Sequence, residues 1–383
     1  MSEPHRQKIM LVFGTRPEAI KMGPLFHALS ARPEHFDPIL CVTGQHRQML
    51  DQTLAVFGLS PSIDLDIMQP GQDLFDITSS VLLGMRGALA AIKPSIVLVH
   101  GDTTTTLATA MAAFYQGIPV GHVEAGLRTH DLSAPFPEEL NRQLTSKMAT
   151  WHFAPTTQSA ANLKSEGVLD ESVVVTGNTV IDALFWVLQR IDSDPGLRQR
   201  VEQQLDGHLR FDWRSERFVL ITGHRRENFG HGFLEICRAV RDLAVRYPAV
   251  RFVYPVHLNP NVQAPVREVL GNCENVILVP PLEYEPFAYL LKHCDFVLTD
   301  SGGIQEEGPS LGKPVLVMRN TTERPEAISA GTVRLVGADH QRICDNVAEL
   351  IDNRSVHSAM SRAHNPYGDG NACQRIVDFL EGI

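Results

Sequence analysis

The sequence predicts an α/β protein with two Rossmann-like, doubly wound domains. Short apolar runs alternate with helical segments along most of the 383 residues, which is typical of parallel sheets covered by helices. The alternation stops in a charged stretch near the middle and then begins again, and a chain of this length usually forms two domains. In such a pair a ligand binds between the carboxyl ends of the strands, so we expect the active site in the interdomain cleft.

The first domain is predicted to cover residues 1–191. An apolar run at 9–13 predicts a buried strand. A helix is predicted at 19–30, and Pro17 near the start of that helix favours it. Further apolar runs predict strands at 38–43, 96–99, 119–123, 151–154 and 173–177. The predicted helices between them are a polar one from 45, a long one at 74–91 with apolar residues at helical spacing, and an Ala- and Thr-rich one at 103–115.

The second domain is predicted at 218–364, after a charged helical linker at 192–217. Its apolar runs predict strands at 218–222, 251–256, 276–279, 296–299, 314–317 and 332–336. Residues 365–383 begin with a cluster of turn residues and end in a helix, which we expect to pack back on the N-terminal domain.

Composition argues against several classes of protein. The net charge of −10 is unfavourable for a nucleic-acid partner. The six cysteines are scattered without a CxxC pair, as is usual for reduced thiols. The N-terminus is polar without the pattern of a signal peptide, and no uninterrupted apolar run approaches 18 residues. We therefore expect a cytoplasmic protein with no membrane span.

Several nucleotide-binding motifs are absent from the sequence. No GxGxxG follows a strand and no GxxxxGK[ST] occurs, which argues against a bound dinucleotide or a P-loop nucleotide. HExxH, GxSxG and EF-hand patterns are absent as well. Two Rossmann-like halves without the dinucleotide fingerprint favour nucleotide-sugar chemistry, in which the nucleoside diphosphate is a leaving group.

A glycine pair joins a predicted strand to a predicted helix at Ser301-Gly302-Gly303, with the helix at 304–311. Free backbone N–H groups and the helix dipole at such a junction favour a bound anion. The alternative is a tight turn in which Ser301 is only the N-cap of the helix.

Charged residues also follow the strands of the first domain. Arg16 and Lys21 are placed where both could bind one anion. Two solvated charges at the protein surface are an equally good interpretation of this pair. Asp102 alone is better explained as a helix cap, whereas Glu124 is a poor cap, so a functional role is favoured for it. Glu138 stands at the start of a predicted helix, next to Glu139. One of these two acids is explained by a favourable interaction with the helix dipole.

Cations follow the strands of the second domain. His224, Arg225 and Arg226 stand together after the strand at 218–222, which favours an anion site over a core histidine. His257 ends the next strand and is equally well explained as a buried histidine. The first domain thus supplies carboxylates, while the second supplies glycines and cations. That division suits acid–base chemistry on a sugar in one domain and diphosphate binding in the other.

Seven motifs together resemble those of the bacterial non-hydrolysing UDP-N-acetylglucosamine 2-epimerases. They are FGTRPEAIK at 13–21, HGDT at 100–103, HVEAGLR at 122–128, PEELNR at 137–142, TGHRREN at 222–228, DSGGIQEE at 300–307 and TERPE at 322–326. The resemblance extends from about residue 8 to residue 380, which is essentially the whole chain.

The resemblance implies a fold like that of the B-type glycosyltransferases and a homodimer. It implies an isomerase that interconverts UDP-N-acetylglucosamine and UDP-N-acetylmannosamine without a cofactor or a required metal. In that reaction UDP leaves C1 while a carboxylate removes the C2 proton, which gives a 2-acetamidoglucal. A proton then returns to the other face of C2, and UDP adds back to C1.

The resemblance also assigns roles to individual residues. The catalytic residues would be Asp102, Glu124, Glu138 and His224. UDP and the sugar would be bound by Arg16, Lys21, Leu282, Phe287, Ser301, Gly302, Gly303, Glu307 and Arg324. A second UDP-N-acetylglucosamine, an allosteric activator in some members, would contact Gln45, Gln48, Arg225 and His257.

Four alternatives stay open at this point. Two are enzymes of the same kind, a hydrolysing relative that releases free N-acetylmannosamine and an epimerase for a modified UDP-sugar. A third is a glycosyltransferase of the same architecture, which would need an acceptor. The fourth is a non-catalytic UDP-sugar sensor, which the three carboxylates after strands disfavour.

Overall fold

The computed structural model describes residues 6–44 and 47–383, except for the side chain of Gln48. The chain divides into two compact units. One contains the chain up to Trp186 together with Tyr367–Ile383, and the other contains Val187–Pro366. Each unit has a parallel sheet with helices between the strands, so the predicted α/β class with two sheets is confirmed.

The first unit is built on a seven-stranded parallel sheet. Its strands are β1 (Gln7–Phe13), β2 (Phe36–Val42), β3 (Ile63–Asp64), β4 (Ile96–His100), β5 (Val120–Val123), β6 (Trp151–Ala154) and β7 (Val173–Val175). Its helices are α1 (Arg16–Ser30), α2 (Arg47–Val56), α3 (Leu74–Ile92), α4 (Thr104–Tyr115), α5 (Glu138–Met148), α6 (Thr157–Ser165) and the first part of α7 (Thr179–Ser193), with a short 3-10 helix at Asp170–Ser172. The strand order β3-β2-β1-β4-β5-β6-β7 brings the loops after β1, β4 and β5 to neighbouring positions on one edge of the sheet.

The second unit is built on a six-stranded parallel sheet. Its strands are β8 (Phe218–Thr222), β9 (Arg251–Pro255), β10 (Val276–Val279), β11 (Phe296–Thr299), β12 (Val315–Val317) and β13 (Val333–Leu335). Its helices are α8 (Pro195–His208), α9 (His231–Arg246), α10 (Pro260–Leu270), α11 (Tyr284–His293), α12 (Ile304–Ser310), α13 (Pro325–Ser329), α14 (His340–Asp352) and α15 (Arg354–Arg362), with a 3-10 helix at Arg226–Asn228. The order β10-β9-β8-β11-β12-β13 makes β8, β11 and β12 neighbours.

The segment predicted as a linker, 192–217, is part of the second unit. Helix α8 lies within it, and its buried residues Leu197, Val201 and Leu205 recur every four positions. This narrow apolar stripe packs the helix, while most of the remaining positions are charged or polar. One buried face is enough to pack this helix, although the segment is highly charged.

The last helix of the chain, α16 (Ala372–Glu381), belongs to the first unit. Arg32, just after α1, forms ion pairs with Asp378 and Glu381. The ring of Phe379 meets that of Phe153 edge-on at 5.6 Å. The first unit is therefore assembled from both ends of the chain.

Among the described residues, α3 alone is long and apolar enough, by length and composition, to cross a membrane. Its 18-residue window has a mean hydropathy of 1.3, and 17% of the window is buried. The sequence predicts this helix at 74–91, but hydroxyl side chains and Arg86 interrupt its apolar residues, so it contains no uninterrupted apolar run of 18 residues. One face packs in the core through Val81, Met85 and Leu89. The face that bears Phe75 is exposed.

Candidate active site

Glu124 lies directly after β5 in a left-handed backbone conformation, with φ of 62°. Three side chains contact one oxygen of its carboxylate, Oε2. Lys21 donates a hydrogen bond to it, the Asn178 amide donates to it over 2.9 Å, and His100 Nε2 lies 3.5 Å away. A left-handed non-glycine residue costs about 1–2 kcal/mol, so these contacts hold Glu124 against backbone strain.

Asp102 lies in the turn after β4, and Glu124 follows β5, which is the neighbouring strand in the sheet. Its Oδ2 accepts a hydrogen bond from Arg142 Nη2 over 2.7 Å, and its backbone carbonyl accepts one from Asn141 over 2.9 Å. Thr103 caps α4, since its side chain accepts from the Thr106 N–H. The cap explanation for Asp102 is therefore wrong, and its carboxylate faces Arg142.

The pKa values of the two carboxyls are shifted in opposite directions. Burial raises the pKa of Asp102, the Arg142 guanidinium opposes that rise, and the charge of Glu124 adds to it. Burial also acts to raise the pKa of Glu124, but Lys21 and His100 outweigh it and hold that pKa well below its ordinary value. Paired carboxyls whose environments push their pKa values apart are typical of an acid and a base.

The two acids at the start of α5 have different surroundings. Glu139 is fully buried and accepts hydrogen bonds from the Thr129 and His130 N–H groups, each over 3.1 Å. Burial acts to raise the pKa of Glu139, but Gln143 and these N–H groups hold it below the ordinary value. Glu138 is half-buried, and its charge contributes to raising the pKa of Asp102. Glu139 thus shapes the preceding loop, and Glu138 lies near the carboxyl pair.

Glu18 connects the loop after β1 with the loop after β4, and sequence reasoning missed it. Its carboxylate accepts from the backbone N–H of Thr15 over 2.9 Å and from the hydroxyl of Thr103 over 2.7 Å. It is 2% exposed. Arg16 and Lys21 lie on the same first turns of α1, where Arg16 is half-buried. The sequence signal was the capping-box pattern Thr15–Glu18, which is usually read as purely local.

In the second unit, Asp300 holds the loop that carries His224. Asp300 is fully buried, and its Oδ2 accepts from the backbone N–H groups of His224 and Arg225, each over 2.8 Å. His224 Nδ1 lies 3.6 Å from Asp300 Oδ1. The His224 ring stacks on that of His257 at 5.3 Å, which also places the exposed His257 at this site and rules out a buried core role.

The imidazole of His224 has a lowered pKa. Burial is the main cause, Asp300 opposes it, and His257 and Arg225 lower the pKa further. A neutral imidazole can donate one hydrogen bond and accept another. Asp300 was missed as a functional residue, although an acid at the end of a strand before two glycines was the available signal.

The glycine turn lies between β11 and α12. Gly303 occupies the N-cap position of α12 with no side-chain cap, so the explanation of Ser301 as the N-cap is wrong. A Cβ on Gly302 would lie 2.8 Å from Arg324 Nη1 and 3.1 Å from Glu323 Oε1. The glycine at 302 thus lets the ends of these two charged side chains lie against the backbone, and a larger residue there would displace them.

Other predicted binding residues surround this turn. Glu307 is 7% exposed and accepts a hydrogen bond from the Tyr284 hydroxyl over 3.3 Å. Tyr284 begins α11, so this contact brings the start of α11 to α12. Leu282 is buried just before α11, and Phe287 is half-buried within it.

A chain of ion pairs joins the loops around the turn. Arg324 Nε donates to Glu306 over 2.5 Å, and Arg324 Nη1 donates to Glu323 over 2.6 Å. Arg319 donates to Glu323 over 2.9 Å and to Glu227 over 2.6 Å. The loops after β8, β11 and β12 are thereby held together.

We expect Glu323→Gln to lower the free energy of unfolding at pH 7 by up to about 3 kcal/mol. Burial acts to raise the pKa of Glu323, but Arg324 and Arg319 lower it from 4.5 to about 2. Because the folded pKa lies below the unfolded one, the stabilisation is present above pH 4.5 and is lost as the pH falls towards 2. Urea unfolding at pH 7 and pH 3 should therefore show a smaller difference between the two proteins at pH 3. An equal difference at both pH values would contradict this account.

The predicted allosteric residues are only partly described. Gln45 lies outside the described residues, as does the side chain of Gln48. Arg225 and His257 both lie beside His224. Arg225 follows His224 in the chain and donates its backbone N–H to Asp300, while the ring of His257 stacks on that of His224. In the described parts of the chain, no group of three or more His, Cys, Asp or Glu side chains could hold a metal ion.

The chain is similar to UDP-N-acetylglucosamine 2-epimerases over nearly its whole length. The profile of the family described as UDP-N-acetylglucosamine 2-epimerase matches residues 27–381. The enzyme of that name from Escherichia coli K12 is 58% identical over 374 residues, which cover 98% of each chain.

Solved structures give the same result. The UDP-GlcNAc 2-epimerase of Neisseria meningitidis, bound to UDP-GlcNAc, is 48% identical with a TM-score of 0.90, over 98% of this chain and 100% of that one. The enzyme of Methanocaldococcus jannaschii, in complex with UDP-GlcNAc and UDP, is 29% identical with a TM-score of 0.81, over 98% and 100% of the two chains.

Proposed function

Because this chain belongs to the UDP-N-acetylglucosamine 2-epimerase family, we propose that it inverts C2 of UDP-N-acetylglucosamine by elimination and re-addition of UDP. Family membership supports the epimerase activity. The observation that carries the mechanism is the pair Asp102 and Glu124, two neighbouring carboxyls with oppositely shifted pKa values.

The pair has the properties of one base and one acid. Glu124 is ionised at neutral pH and removes the C2 proton of UDP-N-acetylglucosamine. The electrons of the C2–H bond form the C1–C2 double bond, and the C1–O bond breaks with its electrons on UDP. Asp102, whose raised pKa favours the protonated form, returns a proton to the opposite face of C2. UDP then adds to C1, and the roles reverse in the other direction.

UDP is held in this proposal by the second unit. The Ser301-Gly302-Gly303 backbone and the Arg324 guanidinium bind the diphosphate, and neutral His224 donates a hydrogen bond to it. Glu307 binds the ribose hydroxyls, with Leu282 and Phe287 against the uracil. Arg16 and Lys21 of the first unit complete the proposed binding residues, and Glu138 assists the carboxyl pair.

Deuterium exchange tests the proposal. Incubation with UDP-N-acetylglucosamine in deuterated water should place deuterium at C2 of both epimers, observed by NMR without any acceptor. Absence of exchange at C2 would overturn the proposal. Free N-acetylmannosamine and UDP as the main products would instead identify a hydrolysing enzyme.

The second UDP-N-acetylglucosamine is proposed to act through Arg225 and His257. Both neighbour His224, so a ligand that contacts them would alter the position or charge of that imidazole. The cytoplasm stays the proposed location, supported by six free thiols.

We expect a homodimer that Leu83→Glu converts to a monomer. The outer face of α3 exposes Phe75 and Leu83, which are 84% and 56% exposed, and nearby α4 exposes Tyr115. An exposed apolar surface of this kind favours association, and a buried carboxylate would oppose it. Sedimentation velocity measures the change, with Leu169→Glu as the control at a separate exposed leucine. A monomeric parent protein would contradict the proposal.

A further inference from the structure

Asn178 is a buried side chain that touches the proposed base. It lies between β7 and α7 and is 2% exposed. Its amide nitrogen donates to Glu124 Oε2 over 2.9 Å, although the two residues are 54 positions apart. No role for Asn178 follows from the sequence motifs or from the proposed reaction.

The amide of Asn178 is fixed in one orientation. Its oxygen accepts a hydrogen bond from the Val180 N–H over 3.2 Å, so the NH2 group faces the carboxylate. A rotation by 180° would place two oxygens together and leave the Val180 N–H opposite an amino group. Asn178 therefore presents a donor to Glu124.

The C-terminal segment fixes the backbone of Asn178. The Asn178 N–H donates to the Tyr367 carbonyl over 2.8 Å. Gly177 has φ of 88°, and a Cβ there would lie 3.3 Å from the same carbonyl oxygen. One turn later, Asp182 accepts from the N–H groups at the start of α16, with the Cys373 N–H at 2.8 Å.

The contacts on Glu124 leave its two oxygens in different environments. Lys21, His100 and Asn178 all contact Oε2. Oε1 lies on the side of Gly101, where an added Cβ would be 3.8 Å away. Asp102 is the next residue after that glycine, so Oε1 faces the turn that carries the proposed acid.

We propose that Asn178 is a positioning residue, which holds Oε2 of Glu124 so that Oε1 is the atom that accepts the C2 proton. This inference rests on the proposed role of Glu124 as the base. The charged or titratable groups around that carboxylate are Lys21 from α1, His100 from the end of β4 and Asp102 from the following turn. Asn178 is a neutral donor to the same carboxylate, and it links Glu124 to the C-terminal segment through its backbone bond to Tyr367.

The test is the pH profile of kcat for Asn178→Ala. Removal of one donor to a carboxylate should lower kcat about 10- to 100-fold. It should also move the acidic limb of the profile to higher pH, because the ionised form of Glu124 loses a hydrogen bond. The KM for UDP-N-acetylglucosamine should change less than twofold.

Asn162→Ala is the matched control. The Asn162 amide donates over 2.9 Å to the carbonyl of Gly126, two residues after Glu124, and does not touch the carboxylate. This variant should keep the acidic limb of the parent protein. Equal movement of the limb in both variants, or no movement in Asn178→Ala, would overturn the inference.

Asn178→Asp provides a second variant of nearly the same shape, for the case in which Asn178→Ala does not fold. It keeps the acceptor for Val180 but places a second negative charge beside Glu124, so kcat should fall further than in the alanine variant. UDP binding and thermal unfolding report whether each variant is folded. Parent-like kcat and pH profile in Asn178→Asp would also overturn the inference. Absence of C2 exchange in the parent protein would instead overturn the proposed function.

Discussion

Glu124→Gln should lower kcat for epimerisation by about 10²–10⁴-fold while the affinity for UDP stays within a few-fold. The amide cannot accept the C2 proton, whereas the proposed UDP contacts lie mainly in the second unit. Turnover is measured by NMR in deuterated water, and UDP affinity by titration calorimetry. Glu166→Gln is the control, because Glu166 is also ion-paired, to Arg128, but lies outside the proposed site.

Asp102→Asn separates the two roles. If Glu124 is the base for UDP-N-acetylglucosamine, this variant should still exchange deuterium into C2 of that sugar, because Glu124 can return the proton to the same face. Formation of UDP-N-acetylmannosamine should be slow. When UDP-N-acetylmannosamine is the starting sugar, the variant should show neither exchange nor epimerisation, because the proposed base for that sugar is absent. Equal loss of exchange and epimerisation from both sugars would refute the assignment of one face to each carboxyl.

Gly126→Ala should destabilise the first unit by about 2–5 kcal/mol, through backbone strain and overpacking together. Gly126 has φ of 90°, and an added Cβ would lie 2.2 Å from the backbone oxygen of Ser159. Helix α6 would have to move away from the turn that begins at Glu124. Thermal and urea unfolding measure the loss.

Gly117→Ala is the matched control for that change. Gly117 also has positive φ, at 66°, but an added Cβ there meets nothing within 4 Å. Gly117→Ala should lower the free energy of unfolding through backbone strain alone, by about 1–2 kcal/mol. The difference between the two variants isolates the contact with Ser159. Equal losses would mean that the contact relaxes without cost.

Much of the fold was predictable because buried parallel strands are short apolar runs. β4 and β11 are entirely buried, and both stand out in the sequence. β3 was not predictable, since it has only two residues and Asp64 is exposed. α8 was predicted only as part of a helical linker, because its single apolar stripe is narrow in a charged segment.

The site was predictable only where its chemistry is local in sequence. The glycine turn at 301–303 and the cations after β8 are contiguous runs, so residue type and spacing indicate them. The partners of Glu124 are not local, since Lys21 and Asn178 come from α1 and from the loop after β7. Asp300 acts on the backbone of a loop 75 residues earlier, which no spacing rule encodes. Such contacts are set by tertiary packing rather than by local pattern.

The assembly of the first unit from both ends of the chain has a consequence for its synthesis. The second unit is continuous from Val187 to Pro366, so all of its strands are synthesised before α16. The first unit lacks the Tyr367 carbonyl, and therefore the bond that fixes the backbone of Asn178, until Tyr367 has been synthesised. The unit that holds the proposed base is thus completed after the second unit, so a chain that ends before Tyr367 would lack the contact that we propose aligns Glu124.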